Sequence, residues 1–580
     1  MAFLRNLLAT ILGLFIFSMI AFFVFIGILG VAAQDEIPVV EEESVLWLPL
    51  NGVLRERTVE DPLEDLFPGS SPQMISLFDL LDAINEAKED PNIEGIYLEP
   101  MYLSAGFASL KEIRDALVEF KESGKWIYAY GEFISESDFY VASVADGLFL
   151  HPQGNLEFNG LSANVSFYKG LFDKLEIEPE IFRVGTFKGA IEPLIRKDLS
   201  DENRLQLTSL LSSVNKTYLD EVAISLSIPR DELKVIQNQM KAQVPEDMED
   251  MGLVTRIAHE DEVKEIMMEE LVLEEVEDIN FISFRDYAKT ISSEYSTNRI
   301  AVIAGEGEIV MSGDENEYIV GAKFAREIRK ARESKKVKAI VVRINSPGGS
   351  ITASDMIWRE VEKTRGVKPI IASMGTYAAS GGYYMAMACD TIVAQPNTIT
   401  GSIGIFSVLF NVKNFLGNKL GITNDVVNTG EFSDLITVTR SLNEQERAIF
   451  QKGVDRGYEA FISKVSEGRG MVKERVLELA QGRVWSGEQA LKRGLVDVNG
   501  SLQDAIAIAA EKANLEDYKV SYYPRLKPFF EQLMSQLGNE AKLKMFGSEG
   551  KEVLESFNDI QKFAKSEGIQ ARLLGDIEIY

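Results

Sequence analysis

Residues 131–160 and 375–404 can be laid over one another at a constant offset of 244 without a gap, and six of the thirty positions are identical. Gly131 falls on Gly375, Tyr140 on Tyr384, Ala142 on Ala386, Asp146 on Asp390, Pro152 on Pro396 and Gly160 on Gly404. Matches that stay in phase over such a length indicate a tandem duplication, and two copies are too few for a solenoid. Whatever fold one copy adopts, the other must adopt too. At 580 residues the chain also exceeds what one core holds, so at least two domains are expected. In the first copy, short apolar runs at 45–50, 95–98 and 125–130 bracket an amphipathic pattern at 110–120. Strands that alternate with helices predict an α/β fold. The Glu- and Met-rich stretch 259–277 reads as a solvated helix and connector, after which a strand at 299–304 restarts the pattern.

The first 36 residues read as something else. Positions 7–33 carry no charge over 27 residues, more than enough as a helix to cross an apolar layer of about 30 Å. Arg5 precedes this run, whereas Asp35, Glu36, Glu41, Glu42 and Glu43 follow it. The length of the run predicts an N-terminal transmembrane helix, and the charge bias puts the body outside the cytoplasm: an inner-membrane, single-pass protein with its body on the periplasmic or outer face. The expected domains are therefore the anchor at 1–36, a first copy at 44–290, a second at 298–525 and a helical tail at 526–580.

Composition removes several function classes. A net charge of −30 and a pI near 4.7 argue against nucleic acid as a partner, because phosphates call for clustered Lys and Arg. Cys389 is the single cysteine and sits in an apolar segment, so neither a disulfide framework nor a cysteine metal site is expected. With only His151 and His259 available, a zinc site is not expected either, and no metal or cofactor is predicted.

The differences between the copies point to chemistry. In the second copy an apolar run at 369–374 leads through small residues to Ser380-Gly381-Gly382, and 383–389 reads as a buried helix. A serine at a strand-to-helix turn backed by glycines exposes its hydroxyl while leaving backbone N–H groups free for an oxyanion. The first copy has Glu136-Ser137-Asp138 at that register. Conversely Lys188, in a strand-like run at 183–193, falls on Phe432. Each copy keeps one useful group that the other lacks, as expected for a single site assembled from both.

A serine needs a base. His151 and His259 leave a Ser-His-Asp triad open, and Lys188 taken alone also suits a salt bridge to Glu192. A lysine base requires its pKa to fall from about 10.4 to about 7, a differential destabilisation of about 4.6 kcal/mol. Burial among Val184, Phe187, Ala190 and Ile191 is a source for it. The loop at 345–350, Asn-Ser-Pro-Gly-Gly-Ser, runs into a helix expected to begin near Thr352 or Ser354, which makes Gly348 and Gly381 the candidate oxyanion donors. Ser402, in Thr-Gly-Ser-Ile-Gly at 400–404, is the candidate for orienting the lysine amine, and its segment reads equally well as a simple turn.

SPGGS at 346–350, MGTYAASGGYYMA at 374–386, TGSIGIF at 400–406 and GTFKGAIEP at 185–193 together resemble the signal peptide peptidase A, or protease IV, family in its long duplicated form, over the chain from its start to about residue 525. The resemblance implies tandem crotonase-like (Clp protease-like) α/β domains and a membrane-anchored serine endopeptidase with a Ser/Lys dyad. It implies Ser380 as nucleophile, Lys188 as general base, Gly348 as an oxyanion donor and Ser402 as the lysine-orienting hydroxyl. It further implies signal peptides and other unfolded apolar peptides as partners, degradation of remnant signal peptides as the task, and a homotetramer. The alternatives are a crotonase-type acyl-CoA enzyme and a non-catalytic membrane scaffold.

Overall fold

The computed structural model describes residues 5–7, 10–20, 38–58, 73–291, 296–525 and 570–572. Residues 10–20 are helical, but the charge-free run at 7–33 lies largely outside the described residues. Among the described residues no helix is long and apolar enough to cross a membrane.

Both halves are α/β units built on largely parallel sheets. In the first, strands run in the order Met74–Ser76, Ser44–Arg55, Ile93–Ser104, Trp126–Ile134, Gly147–Leu156, Arg256–Ile257, and Phe281–Ser283 also pairs with Ser44–Arg55. In the second, Val337–Ser346 lies between Arg299–Glu306 and Ile370–Ala379. Central strands such as Val337–Ser346 are buried on both faces, which is why they read as continuous apolar runs without alternation. The strand after Pro369 is longer than its apolar part, since Gly375–Ala379 stay in register beside Ile399–Gly401.

The duplication is visible element by element. Strands at Met74, Ile93, Trp126 and Gly147 and helices at Leu77 and Phe107 recur 244 residues later, at Tyr318, Val337, Ile370, Thr391, Gly321 and Ile351. The long helices Asp201–Leu226 and Glu444–Arg469 follow N-caps Ser200 and Asn443, each accepting from a backbone N–H in the first turn. The stretch read as a connector is corrected by this comparison. Glu260–Glu270 is the counterpart of Leu502–Lys512, and Val263 and Met267 are buried with Val45, Tyr97 and Ala258 in the first half's core. The high Glu content marks only its outer face.

The halves share one apolar core, in which Leu46, Ile75 and Leu110 cluster with Ile300, Val341, Ile371 and Leu502. Helix Phe107–Lys121 of the first half meets strand Ile370–Ala379 of the second, where the Ser109 and Thr376 hydroxyls are 2.9 Å apart. Beside them the fully buried Arg343 donates to Glu56 at 2.8 Å and to Glu112 at 2.7 Å, both from the first half, and to Ser373 at 3.1 Å.

A third sheet crosses from one half to the other. Its order is Tyr318–Val320, Glu308–Val310, Gly348–Ser350, Gln570–Arg572, Ile405–Asn411, Glu178–Val184. The hairpin-like pairing of Glu178–Val184 with Ile405–Asn411 places Val184 opposite Ile405 and so delivers the residues after Val184 to the second half. Of the tail read as helical, the described part, Gln570–Arg572, is instead a strand, antiparallel to Gly348–Ser350.

Candidate active site

Ser380 follows strand Ile370–Ala379 directly and precedes helix Gly381–Ala386. Its N–H donates to Gly401 O at 2.7 Å, and its backbone is held at φ 54°, ψ −109°, a left-handed conformation that costs a non-glycine residue about 1–3 kcal/mol. The next turn requires glycine: a Cβ on Gly382 would lie 2.9 Å from Ser346 O.

Lys188 sits on a turn, not in a strand. The strand ends at Val184, the chain reverses at Gly185 with φ 111°, and Gly189–Ile191 is one 3-10 turn. The turn is docked on the second half by Phe187 N–H donating to Gln481 O at 2.8 Å. This delivers a lysine that is 1% exposed to a serine 192 positions later in the same chain, with Nζ 2.9 Å from Ser380 Oγ. Nζ is also 2.9 Å from Ser402 Oγ and 3.1 Å from Ser402 O. Burial alone drives the Lys188 pKa well below its ordinary value, because no carboxylate compensates the lost hydration. The alternative partner is occupied: Glu192 accepts from Ser200 N and Asn203 Nδ2, each at 3.1 Å, and from the Ser200 hydroxyl.

The oxygens around Nζ fix its hydrogens. A neutral amine has two N–H donors and one lone pair. Ser402 O only accepts, so it takes one N–H. The Ser402 hydroxyl donates to Gly482 O at 3.3 Å and thereby accepts the second. With both N–H groups so placed, an uncharged Lys188 would turn its lone pair to the Ser380 hydroxyl, the arrangement a proton acceptor needs, whereas the ammonium donates to that oxygen. Ser380 Oγ also lies 3.5 Å from Gly404 O.

Gly348 and Gly349 have φ 105° and 155°, and a Cβ on Gly349 would fall 2.1 Å from Ile309 O. The Gly348 N–H donates to Ser346 Oγ at 3.1 Å. The helix after this loop starts at Ile351, earlier than its sequence suggests, because Ser350 is its cap and accepts from Ala353 N. Gly381 opens its own helix, so its N–H has no intrahelical acceptor. The two histidines pack on each other edge to face, with centroids 5.0 Å apart, and neither is a hydrogen-bond partner of Ser380. Among the described residues no cluster of His, Cys, Asp and Glu suits a metal ion.

The first copy's equivalent position is filled. Asp138, which corresponds to Gly382, accepts from Tyr102 N at 3.2 Å and Leu103 N at 3.1 Å, the counterparts of Ser346 and Pro347. Glu136, at the register of Ser380, accepts from Gly160 N at 2.8 Å and from Gln237 Nε2 at 2.6 Å. Carboxylates occupy the backbone donors there. The groups that sequence reasoning missed are Gln206, Gly482 and Arg483 around the lysine turn; none carries reactive chemistry, and the only signal was the glycine of Gln-Gly-Arg at 481–483.

A model of "Peptidase family S49" matches this chain twice, at residues 119–274 and 362–516. The chain belongs to peptidase family S49. A "Clp protease" model also matches residues 292–400. Among curated relatives, "Protease 4" of Salmonella typhi is 36% identical over 89% of this chain and 87% of its own length. "Protease 4" of Haemophilus influenzae is 34% identical over 89% of this chain and 90% of its own length, and "Serine protease SPPA, chloroplastic" of Arabidopsis thaliana is 35% identical over 82% and 70%. This S49 chain is thus a serine protease of the long, duplicated SppA type, and the two matches of the family model follow its two halves.

Proposed function

We propose that Ser380 is the nucleophile and Lys188 the general base of this protease, and that its substrates are remnant signal peptides and other unfolded apolar peptides at a membrane surface. The observation that carries the reading is the 2.9 Å contact between a buried, uncompensated amine and a strained serine hydroxyl. Lys188, neutral, takes the Ser380 proton as Oγ attacks the peptide carbonyl. The Gly348 and Gly381 N–H groups receive the oxyanion, Gly348 exchanging its Ser346 acceptor for it. The lysine ammonium then protonates the departing amine, and the Lys188 amine so freed takes a proton from the water that attacks the acyl-enzyme and returns it to Ser380 Oγ as the ester bond breaks. Ser402 keeps the amine aimed throughout. Pairing of Gly348–Ser350 with an antiparallel strand supports an extended peptide as the bound form, which favours a peptidase over an acyl-CoA enzyme.

The charge-free run at 7–33 supports a single membrane anchor with the catalytic body on the outer face, and the match to a Clp protease model supports an oligomeric assembly, which we read as a homotetramer. The test is the purified full chain with synthetic signal peptides, hydrophilic peptides of equal length and an acyl-CoA thioester, each followed by mass spectrometry. Preferential cleavage of the signal peptides is expected, with Ser380→Ala and Lys188→Met each lowering kcat about 10²–10⁴-fold. Equal cleavage of the hydrophilic set would contradict the substrate class, and full activity of either variant would contradict the dyad.

A further inference from the structure

We propose that Gln206 is a positioning residue for the serine–lysine pair: its amide ties the lysine-bearing turn to the 481–484 segment and so holds the amine of the first half against the hydroxyls of the second. The proposal rests on the dyad reading above. Gln206 projects from helix Asp201–Leu226 of the first half and is 4% exposed. Its Nε2 donates to Phe187 O at 3.0 Å, one residue before the lysine, and its Oε1 accepts from Val484 N at 3.2 Å. Phe187 is therefore held at both ends, its N–H on Gln481 O and its carbonyl on Gln206.

The segment on the other side of the clamp makes consecutive contacts with the serine side of the site. Gly482 N donates to Ile403 O at 2.9 Å, Ser402 N donates to Arg483 O at 2.7 Å, and Gly482 O takes the Ser402 hydroxyl. Gly482 itself packs so closely that a Cβ would lie 2.6 Å from Lys188 Cβ. Movement of this segment moves Lys188 and Ser402 together.

Only an amide with one orientation fits. Glu192 takes Asn203 Nδ2, so Asn203 Oδ1 is free to accept from Gln206 Nε2 at 2.7 Å. That contact turns the Gln206 oxygen toward Val484. A carboxylate at 206 would set an acceptor against Phe187 O. The helix does not need the amide for its own sake: six residues after the equivalent cap Asn443 the second copy has Ile449, 45% exposed, and that copy has no lysine turn.

The clamp also keeps water from the amine. The groups against Lys188 are Ser380, Ser402, Gly404, Gly482 and the Phe406 ring with its centroid 6.0 Å from Nζ, while Gln206, Asn203 and Arg483, whose guanidinium lies over Phe187 at 5.0 Å, pack on the neighbouring residues of the turn. Glu192 is committed to Ser200 and Asn203. None of these supplies a charge that sets the lysine's protonation, which depends on dryness alone. A loosened turn admits water, favours the ammonium and raises the pKa.

The experiment compares full-length Gln206→Met, which adds no charge, and the isosteric Gln206→Glu with the parent, reading kcat and KM on a peptide and the pH midpoint of Ser380 labelling by a fluorophosphonate. For Gln206→Met, kcat falls about tenfold to a hundredfold with KM nearly unchanged. The labelling midpoint moves up in Gln206→Met, which loses the donor to Phe187 O without adding a charge, and moves up further in Gln206→Glu, where the carboxylate also favours the ammonium. A parent that labels while both variants keep its kcat and midpoint overturns the positioning role, even if their melting temperatures fall. A parent that never labels at Ser380 overturns the dyad reading itself, and the positioning role with it.

Discussion

In the proposed dyad Lys188 sets the pH behaviour of the site, and the sign follows from its environment. Its folded pKa lies well below 10.5, the value for a free lysine side chain. Below the folded pKa both folded and unfolded chains are protonated, and the full cost of burying the ammonium is carried. Between that pKa and 10.5 the unfolded chain binds one proton more, so stability climbs with pH, and above 10.5 the cost is gone. Lys188→Met should therefore melt higher than the parent near neutral pH, with the gap closing as the pH nears 10. Calorimetry across pH checks both statements. That Ser380 and Lys188 belong together was legible because each stands in a small-residue setting whose counterpart in the other copy, Glu136 or Phe432, is of another kind, whereas Ser402 was read by resemblance, since its segment alone suits a simple turn. Gln206 was not legible, since an amide on a helix has no reactive chemistry and its value comes only from what packs on both sides of it.

Among elements, the duplicated strand-to-helix corner has two outcomes. In the second half, glycines leave backbone donors near a strained serine; in the first, Asp138 and Glu136 satisfy them with carboxylates. The first corner is structural. Asp138→Ala strands the Tyr102 and Leu103 N–H groups, at a cost of about 1–3 kcal/mol, while kcat stays within twofold. Urea unfolding and a peptide assay on one preparation check the pair; a large loss of kcat at unchanged stability would contradict it. The offset of 244 predicted equivalent strands and helices, and the apolar runs located the central strands. The Glu-rich stretch misled because its few buried positions, Val263 and Met267, are outnumbered by solvated ones. The strand-like look of 183–193 misled because glycines at 185 and 189 turn the chain within an otherwise β-favouring run.

On the scale of the whole molecule, the site exists because two halves share a core, a mixed sheet and the buried cluster of Arg343 with Glu56 and Glu112. Removing the cation leaves two buried carboxylates without a counter-ion at the junction, Glu112 keeping only the Leu502 N–H, so Arg343→Met should cost about 3–5 kcal/mol and lower activity in step with the loss of folded protein. This junction was invisible in the sequence, where its three charges lie up to 287 positions apart. The most direct test of the account is the rate of Ser380 phosphonylation against pH in the full chain and in Lys188→Met. A single ionisation well below pH 10.5 governs the parent, and the variant loses both that ionisation and about 10²-fold or more in rate. An identical profile and rate in the two proteins would contradict the claim that an uncharged amine from the first half activates the serine of the second.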